Sequence, residues 1–575
     1  MTKSYGPALR SGILYLLLIT LLGGPGRSQT QDTPASRTPS SSAKRPPTPA
    51  DRAPKLVLVI TVDQFRYDYL ERFSQIFGRQ GFRRLMTGGA VFTNANYDYV
   101  PTYTAPGHAA IFTGAGPAQN GIVGNQWYDR ETGKLRVMVS DLSSRMVTDS
   151  GVTGEPGVAS PRVLIGDTIG DQLRLSNNFH SKVIAISLKD RAAVLPGGHH
   201  PNGAFWFDTL RGSFVTSDYY SKELPPWVKQ FNSSQGPARY FGAKWVRSLK
   251  PEAYRISQDR NMPVQKSVLG TEFPYTITGG EEKPGAKFHA AFEMTPFASE
   301  YLADFAKAAI QAESLGSDEF PDLLSVSFSS PDLAGHFYGP DSQEIEDIYF
   351  RLDGVIARLL NFIDSKVGLA NTIVAVSGDH GVMPVPEYLE SLGFDARRLE
   401  AKDIRGAVND ALKQRFGDEK WVLEFVNDQF YLDRKLIAER KLNVSDFERA
   451  AGEAALTVPG IVDFFTRTQI LEGRMPASNI ARRVVNGFCR ARSGDVWIVN
   501  KPFTFVAEGR LPTTHGSSYN YDTHVPVILF GAGVRPGRYY MECAPTDIAP
   551  TLAVLLGIEP PPVRVGRVLP AVGAH

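Results

Sequence analysis

The sequence contains few cysteines and histidines, and it has no excess of charge of either sign. Two cysteines among 575 residues exclude a disulfide-rich scaffold. Cys489 and Cys543 could form one bridge in an oxidising compartment, but nothing in the sequence places them near each other. With 62 basic and 60 acidic side chains the formal net charge is +2, so we predict neither a nucleic-acid-binding module nor an anionic membrane partner.

Long apolar runs are also scarce. The run at residues 12–22 is too short for a comfortable membrane span, which takes about 20 apolar residues. It follows two basic residues and precedes small ones, so residues 1–28 are predicted to be a signal peptide and the chain to be exported, periplasmic or secreted. An uncleaved anchor is the alternative. Residues 29–54 are Pro, Ser, Thr and charge, a composition typical of a disordered linker.

What the sequence does contain is a series of short, continuous apolar runs separated by helical patterns. Because parallel strands buried on both faces read as unbroken apolar runs, the series predicts an α/β protein. We expect residues 55–568 to form one core with a mainly parallel central sheet and helices on both faces. The strand-like runs are residues 55–63, 183–189, 323–328, 372–377 and 525–530.

Two regions interrupt this alternation. Residues 201–284 are rich in aromatics, Gly and Pro without clear periodicity, and residues 384–510 mix short helical and strand-like patterns. We interpret both regions as insertions into one core, the second forming a small α+β subdomain.

Acidic and imidazole side chains follow the predicted strands. In open α/β sheets the chemistry gathers at the carboxyl ends of parallel strands, so we expect these residues to lie together at one edge. Asp and His ligands suit zinc and similar ions, and six of them are enough for two ions, a standard arrangement for displacement at phosphorus. Taken singly, each residue is more often a turn former or a surface residue. The six candidates are Asp63, Asp332, His336, Asp379, His380 and His515.

A candidate nucleophile precedes a small-residue run in PTYTAPGH, residues 101–108. Thr102 or Thr104 could cap a helix whose free N–H groups would bind an anion, and a metal would activate its hydroxyl. An ordinary Thr-capped helix is the alternative. His108 is predicted to have a structural role at this helix start, and His199 and His200 are interpreted as loop residues.

These motifs together resemble the alkaline phosphatase superfamily, in its type I phosphodiesterase and nucleotide pyrophosphatase branch with a threonine nucleophile. The resemblance covers about residues 55–556, and the ordered set is specific although each motif is short. The motifs are VDQ (62–64), PTYTAPGH (101–108), NGIVGN (120–125), DLAGH (332–336), GDHG (378–381) and THG (514–516).

The resemblance implies an alkaline-phosphatase-like fold class for the catalytic domain over residues 55–568, with two zinc ions and Thr104 as the nucleophile. One Zn²⁺ would be held by Asp332, His336 and His515. The other would be held by Asp63, Asp379 and His380, with the Thr104 oxygen as its fourth ligand. A phosphothreonine intermediate would form and then be hydrolysed.

The expected substrate class depends on the groups that meet the phosphoryl oxygens. Lys189 and Arg191 are two residues apart and are predicted to share one side of an extended strand end. Together with Asn125 they resemble the PafA-type phosphate monoesterases, and two cations favour the extra negative charge of a monoester. Alternatively, both are solvated charges flanking Asp190.

The resulting hypothesis is an exported two-zinc alkaline phosphatase that hydrolyses small-molecule phosphate monoesters. A phosphodiesterase or nucleotide pyrophosphatase of the same fold is the alternative enzyme, and a non-catalytic phosphate- or phosphonate-binding protein is the alternative of another class. Sulfatase activity is disfavoured, because Thr104 is followed by Ala-Pro-Gly and not by the x-Pro-x-Arg context of sulfatases.

Overall fold

The computed structural model of the protein describes residues 54–572, except residues 235, 255, 259, 508 and 510. The signal peptide predicted over residues 1–28 and nearly all of the linker predicted over residues 29–54 lie outside the described residues. Within the described part, no helix is long and apolar enough to cross a membrane.

Strands and helices alternate along the described chain. The strands are β1 (Leu56–Val62), β2 (Ala90–Phe92), β3 (Gln126–Asp129), β4 (Lys134–Val137), β5 (Arg145–Thr148), β6 (Gly151–Pro156), β7 (Val183–Ser187), β8 (Gly203–Asp208), β9 (Ser213–Ser217), β10 (Lys244–Trp245), β11 (Tyr275–Thr276), β12 (Asp322–Phe328), β13 (Thr372–Gly378), β14 (Arg397–Glu400), β15 (Val422–Val426), β16 (Gln429–Leu432), β17 (Ile461–Thr466), β18 (Val496–Asn500), β19 (Thr504–Ala507), β20 (Val527–Gly531) and β21 (Gly537–Tyr539). The α-helices are α1 (Tyr69–Arg72), α2 (Phe82–Gly88), α3 (Thr104–Thr113), α4 (Pro117–Asn120), α5 (Ile169–Ser176), α6 (Asp190–Gly197), α7 (Pro226–Ser234), α8 (Ala286–Glu293), α9 (Pro296–Ala312), α10 (Ser330–Tyr338), α11 (Gln343–Lys366), α12 (Pro386–Ser391), α13 (Ala401–Phe416), α14 (Arg434–Glu439), α15 (Val444–Ala455), α16 (Arg467–Leu471), α17 (Asn479–Gly487), α18 (Asn520–Thr523) and α19 (Ile548–Leu556).

One large mixed sheet organises the fold, with the strand order β21-β2-β20-β13-β1-β12-β7-β8-β9-β5-β6. Its central strands β13, β1, β12, β7 and β8 are parallel. Strand β20 runs antiparallel to β13, so the last of the predicted strand runs joins the sheet in the opposite direction. The predicted α/β class with a mainly parallel centre is confirmed.

Helices cover both faces of the sheet, as the unbroken apolar runs indicate. Alternate residues of β1 point into two different cores: Leu58 and Ile60 pack in one, and Val57 and Val59 in the other. The first core also contains residues of α9 and α11, and the second contains residues of α3, α5 and α19. Every residue of β1 is buried, which explains why the strand has no polar face.

The first predicted insertion does not lie wholly outside the sheet. Within residues 201–284, β8 pairs in parallel with β7 and β9 pairs with β8, so both extend the main sheet. All six residues of β8 are buried, and aromatic side chains break the simple strand pattern because they pack against α9, as Phe214 stacks on Phe305. The second region, residues 384–510, contains a separate sheet β15-β16-β18-β17 with its own apolar core.

A buried carboxylate fixes the rest of residues 201–284 to α11. The Asp347 side chain accepts hydrogen bonds from Trp245 Nε1, from the backbone N–H of Ser248 and from the Tyr254 hydroxyl, each at 2.7 Å. Arg351 on the next turn of α11 supplies the compensating charge at 3.1 Å. One side chain therefore holds a segment of irregular structure against a regular helix.

We expect Asp347→Ala to lower the free energy of unfolding by about 2–4 kcal/mol, because it leaves buried donors without an acceptor. Urea denaturation of the intact protein, followed by tryptophan fluorescence, measures the change. Asp418→Ala is the control, since its ion pair with Lys413 is solvent-exposed and its loss should leave the unfolding transition nearly unchanged. Equal stability of the two variants would contradict the anchoring role of Asp347.

Candidate active site

Six acidic and imidazole side chains meet at the carboxyl ends of β1, β12 and β13. In the sheet, Val62 pairs with Phe328 on one side and with Gly378 on the other, so these three strands end at the same level. The next residues along each strand therefore start from neighbouring positions at one edge. The candidates reached in this way, together with one from the loop before β20, are Asp63, Asp332, His336, Asp379, His380 and His515.

One group of potential ligands forms around Asp332. Residues 330–338 are helical, so Asp332 and His336 lie one turn apart on α10. Asp332 Oδ1 is 3.3 Å from His336 Nε2 and 3.6 Å from His515 Nε2. The ligand atoms of these three residues lie within 4.8 Å of one another, which suits a single metal ion.

A second group forms around His380. Its Nε2 atom is 3.3 Å from Asp63 Oδ1 and 3.5 Å from Asp379 Oδ2. The ligand atoms of Asp63, His380 and Asp332 also fall within 4.8 Å of one another. The Asp332 carboxylate therefore lies between the two groups, a position that the sequence motifs did not indicate.

The three histidines are held in the tautomer that leaves Nε2 free to bind a metal ion. Nδ1 of His336 contacts the Thr513 carbonyl oxygen at 3.0 Å, Nδ1 of His380 the Gly381 oxygen at 2.9 Å, and Nδ1 of His515 the Thr102 oxygen at 2.7 Å. A carbonyl oxygen only accepts, so each Nδ1 carries the proton. In the neutral ring each Nε2 then presents a lone pair to the aspartates, the arrangement typical of metal-ligating histidine.

The charges of the site also favour cations. Asp63, Asp332 and Asp379 are all buried, and Asp63 Oδ1 and Asp379 Oδ2 have no hydrogen-bond donor among the described residues. Burial and the Asp63 charge raise the pKa of Asp379 well above its ordinary value. Three crowded carboxylates without enough donors are costly unless positive charge compensates them. The donor set therefore fits divalent metal ions.

Lys189 supplies part of that positive charge. Its Nζ atom donates to Asp63 Oδ2 at 2.7 Å and also to Asp332 Oδ2. Burial opposes the charged form, but Asp332 and Asp63 outweigh it and raise the pKa of Lys189. The sequence predicted Lys189 as a substrate-binding residue, and the structure places its ammonium group against the carboxylates of both ligand groups.

Thr104 faces this cluster at the start of α3. Its Oγ1 atom lies 3.4 Å from His380 Nε2, and the side chain is buried. Tyr103, not a threonine, occupies the cap position, so Thr104 is the first helical residue. The Thr102 hydroxyl instead donates to the Ser517 carbonyl oxygen at 3.1 Å. The geometry thus separates the two candidate nucleophiles.

The start of α3 has fewer N–H groups free to bind an anion than the sequence predicted, because neighbouring groups already accept hydrogen bonds from them. Ala105 N–H donates to Asn125 Oδ1 at 3.0 Å, Pro106 has no N–H, and Gly107 N–H donates to the Tyr103 carbonyl oxygen. Because Asn125 Oδ1 accepts this bond, the orientation of its amide is fixed. The donating NH₂ group is left for another partner, and Asn125 lines the pocket beside the cluster.

Arg191 lies in the same pocket, which has a volume of about 370 Å³. Lys189 and Arg191 do not lie on an extended strand end as predicted, because α6 begins at Asp190 and places Arg191 in its first turn. Arg191 Nε has no hydrogen-bond partner among the described residues. The other residues that line the pocket include Tyr103, His336 and His515 from the core, and Phe425, Asn427, Asp428 and Phe505 from residues 384–510.

Gln64 is a site residue that the sequence reasoning missed. Its Nε2 donates to Asp332 Oδ1 at 2.7 Å and its backbone N–H donates to Asp379 Oδ1 at 3.1 Å. The backbone of Gln64 has φ 66°, a conformation uncommon for a residue with a side chain. Its position directly after Asp63 was the one sequence feature that could have indicated a place in the site.

His108 has a structural role, as predicted, and it also links the helix start to strand β12. Its Nδ1 contacts the Thr104 carbonyl oxygen and its Nε2 contacts the Ser327 hydroxyl, both at 2.8 Å. Burial lowers the pKa of His108 to about 4, so the ring is neutral.

Elsewhere, Cys489 and Cys543 are both buried and free, in separate apolar cores.

Known proteins match this chain over most of its length. The profile of the type I phosphodiesterase / nucleotide pyrophosphatase family matches residues 57–524. Alkaline phosphatase PafA of Elizabethkingia meningoseptica is 39% identical over 89% of this chain and 93% of its own length. Alkaline phosphatase PhoV of Synechococcus elongatus is 35% identical over 90% and 92%.

Solved structures agree with the sequence comparisons. The crystal structure of wild-type PafA superposes with a TM-score of 0.83 at 36% identity, covering 91% of this chain and 99% of that one. A PafA variant with a threonine, an asparagine, a lysine and an arginine substituted together matches equally well.

The packing of α3 on β13 gives a testable consequence. A Cβ atom at Gly107 would lie 2.2 Å from the Asp379 carbonyl oxygen and 2.7 Å from its Cβ, so Gly107→Ala must displace Asp379. We expect a loss of about 1–3 kcal/mol in urea denaturation and a shifted Asp379 in a crystal structure of the variant.

Gly406→Ala is the matched control. Gly406 lies within α13, and no atom lies within 4 Å of the position that a Cβ would take there, so this variant should gain about 0.5–1 kcal/mol. A Gly107→Ala protein as stable as its parent, with Asp379 unmoved, would show that this contact does not fix the site.

Proposed function

Because the chain belongs to the type I phosphodiesterase / nucleotide pyrophosphatase family and the alkaline phosphatases PafA and PhoV match it over most of its length, it is a phosphoric monoester hydrolase, and we propose that it uses Thr104 as nucleophile beside two zinc ions. The observation that carries the proposal is the position of the Thr104 hydroxyl, at a helix start and next to His380, which is one of five grouped metal-type ligands and also contacts Asp379. The apolar pattern of residues 12–22 supports export.

Zinc is proposed because half of the ligands are imidazoles, which magnesium and calcium avoid. Asp332, His336 and His515 would hold one ion. Asp63, Asp379 and His380, with the Thr104 oxygen, would hold the other. Bound there, the two ions supply Lewis-acid stabilisation of negative charge on the attacking and leaving oxygens.

The residues of the chain then divide the remaining work. The Thr104 oxygen attacks phosphorus in line with the leaving group, so a phosphothreonine forms as the bond to the leaving oxygen breaks and an alcohol departs. Water then attacks the same phosphorus and releases inorganic phosphate and the free hydroxyl of Thr104. Helix α3 and His108 hold Thr104 in place throughout, since His108 bonds both its carbonyl oxygen and Ser327 of β12.

Monoester preference is proposed from the charged groups around the transferred phosphoryl group. A monoester carries about one more negative charge than a diester, and Lys189 and Arg191 place two cations beside the site. Asn125 offers its NH₂ group as a neutral donor. In the PafA variant the substituted threonine and asparagine are 21 residues apart and the lysine and arginine two apart, as are Thr104 and Asn125, and Lys189 and Arg191.

We predict that Thr104→Ala lowers the hydrolysis of 4-nitrophenyl phosphate by at least about 10³-fold, because the variant lacks the attacking oxygen. In the parent enzyme, plasma mass spectrometry should find about two bound zinc ions per chain. Thr102→Ala is the matched control and should keep most of the activity, since only a bond to the Ser517 carbonyl oxygen is lost. Full activity of Thr104→Ala would overturn the nucleophile assignment.

A second prediction separates the monoesterase from a diesterase of the same fold. The Lys189→Ala, Arg191→Ala variant should lose about 10²–10³-fold more activity toward 4-nitrophenyl phosphate than toward bis(4-nitrophenyl) phosphate, because only the monoester presents the additional charge. Lys222→Ala removes a surface cation and should change neither rate. Equal losses on both substrates, or a parent enzyme that prefers the diester, would favour the diesterase.

A further inference from the structure

The loop that carries Asn125 is held from outside the catalytic core. This loop, residues 121–125, connects α4 to β3. At its first residue, the Arg492 guanidinium donates to the Gly121 carbonyl oxygen, and it also lies 5.2 Å from the Trp127 ring centroid. Directly after the loop, at the first residue of β3, Asn427 Nδ2 donates to the Gln126 carbonyl oxygen at 2.7 Å. Both contacts come from residues 384–510, the region with its own sheet and core.

Asn427 is presented by a two-residue hairpin turn between β15 and β16. Asn427 and Asp428 have φ values of 55° and 56°, the left-handed pair that such a turn requires and that Asn and Asp tolerate. The turn reaches the loop closely: a Cβ atom at Gly124 would lie 2.4 Å from Asn427 Nδ2. Only a glycine at position 124 allows this approach.

The contact is one peptide unit away from a proposed substrate-binding residue. Gln126 directly follows Asn125, and Asn125 Oδ1 accepts from Ala105 N–H, beside Thr104. We propose that Asn427 is a positioning residue for the reaction, which fixes the backbone at Gln126 and thereby the direction in which the Asn125 amide donates to the phosphoryl group. This inference rests on the proposed function of Asn125.

Other contacts between the same two parts of the chain do not depend on Asn427. Arg130, at the far end of β3, donates to the Leu432 carbonyl oxygen at 3.1 Å and to Asp495. Its guanidinium also lies 5.1 Å from the Tyr431 ring centroid. Loss of the Asn427 amide therefore leaves these contacts in place and acts on the Asn125 end of the loop.

A double-mutant cycle on the zinc-loaded enzyme tests the proposal, with 4-nitrophenyl phosphate as substrate. Asn427→Gly keeps the left-handed turn but removes the amide, and we expect kcat/KM to fall about tenfold with the melting temperature little changed. In the Asn125→Ala background the same substitution should have almost no further effect, because the residue through which it acts is absent. Asn427→Asp, which keeps the shape but cannot donate, should match Asn427→Gly.

Asn178→Gly is the control, since Asn178 is exposed, has φ 52° and lies just before β7, at the amino end of a central strand. It should retain parental kcat/KM. Losses from Asn427→Gly and Asn125→Ala that multiply in the double variant would overturn the positioning role, as would parental activity of Asn427→Gly and Asn427→Asp. If Asn125→Ala alone has no effect, the proposed function of Asn125 fails instead.

Discussion

The arrangement of the site is governed by three buried aspartates that repel one another, and by the positive charge that compensates this repulsion. Asp63, Asp332 and Asp379 follow three adjacent parallel strands whose ends are in register, so the sheet itself brings the carboxylates together. Inside a protein such crowding is unfavourable unless cations compensate it. Lys189 donates to two of these carboxylates and three histidines lie beside them, and the residual demand for positive charge makes the cluster a candidate metal site.

The groups around the cluster are oriented by bonds to backbone atoms, which makes the arrangement stiff. Each of the three candidate ligand histidines uses Nδ1 on a carbonyl oxygen, Gln64 ties Asp332 to the end of β1, and His108 joins α3 to β12. Few of these groups can rotate without breaking a bond in a buried region, where the loss costs about 1–3 kcal/mol. The candidate metal ligands and the proposed nucleophile are therefore preorganised, as catalysis by charge stabilisation requires.

Much of this could be predicted from the sequence, for identifiable reasons. Central strands buried on both faces leave an unbroken apolar run, and the polar residue that ends the run marks the functional edge of the sheet. The spacing from Asp332 to His336 matches one helical turn. The resemblance to a known family then separated Thr104 from Thr102, a choice that the spacing alone left open and that the hydrogen bond of Thr102 to Ser517 supports.

Other features lay beyond sequence reasoning because they depend on contacts between distant segments. Lys189 was expected to face substrate, yet its contacts with Asp63 and Asp332 join residues 126 and 143 positions apart. The direction of β20 depends on the chain returning from residues 384–510, and no local pattern encodes it. Asn427 acts 301 positions from Gln126, and an Asn-Asp turn has the same signature at any hairpin.

The most direct test of the account is a crystal structure of the enzyme loaded with zinc and soaked with inorganic phosphate, with anomalous scattering recorded at the zinc edge. The account predicts two anomalous peaks, one bonded to Asp332, His336 and His515 and the other to Asp63, Asp379 and His380, with phosphorus facing the Thr104 oxygen. A single peak, or phosphate bound away from Thr104, would contradict it.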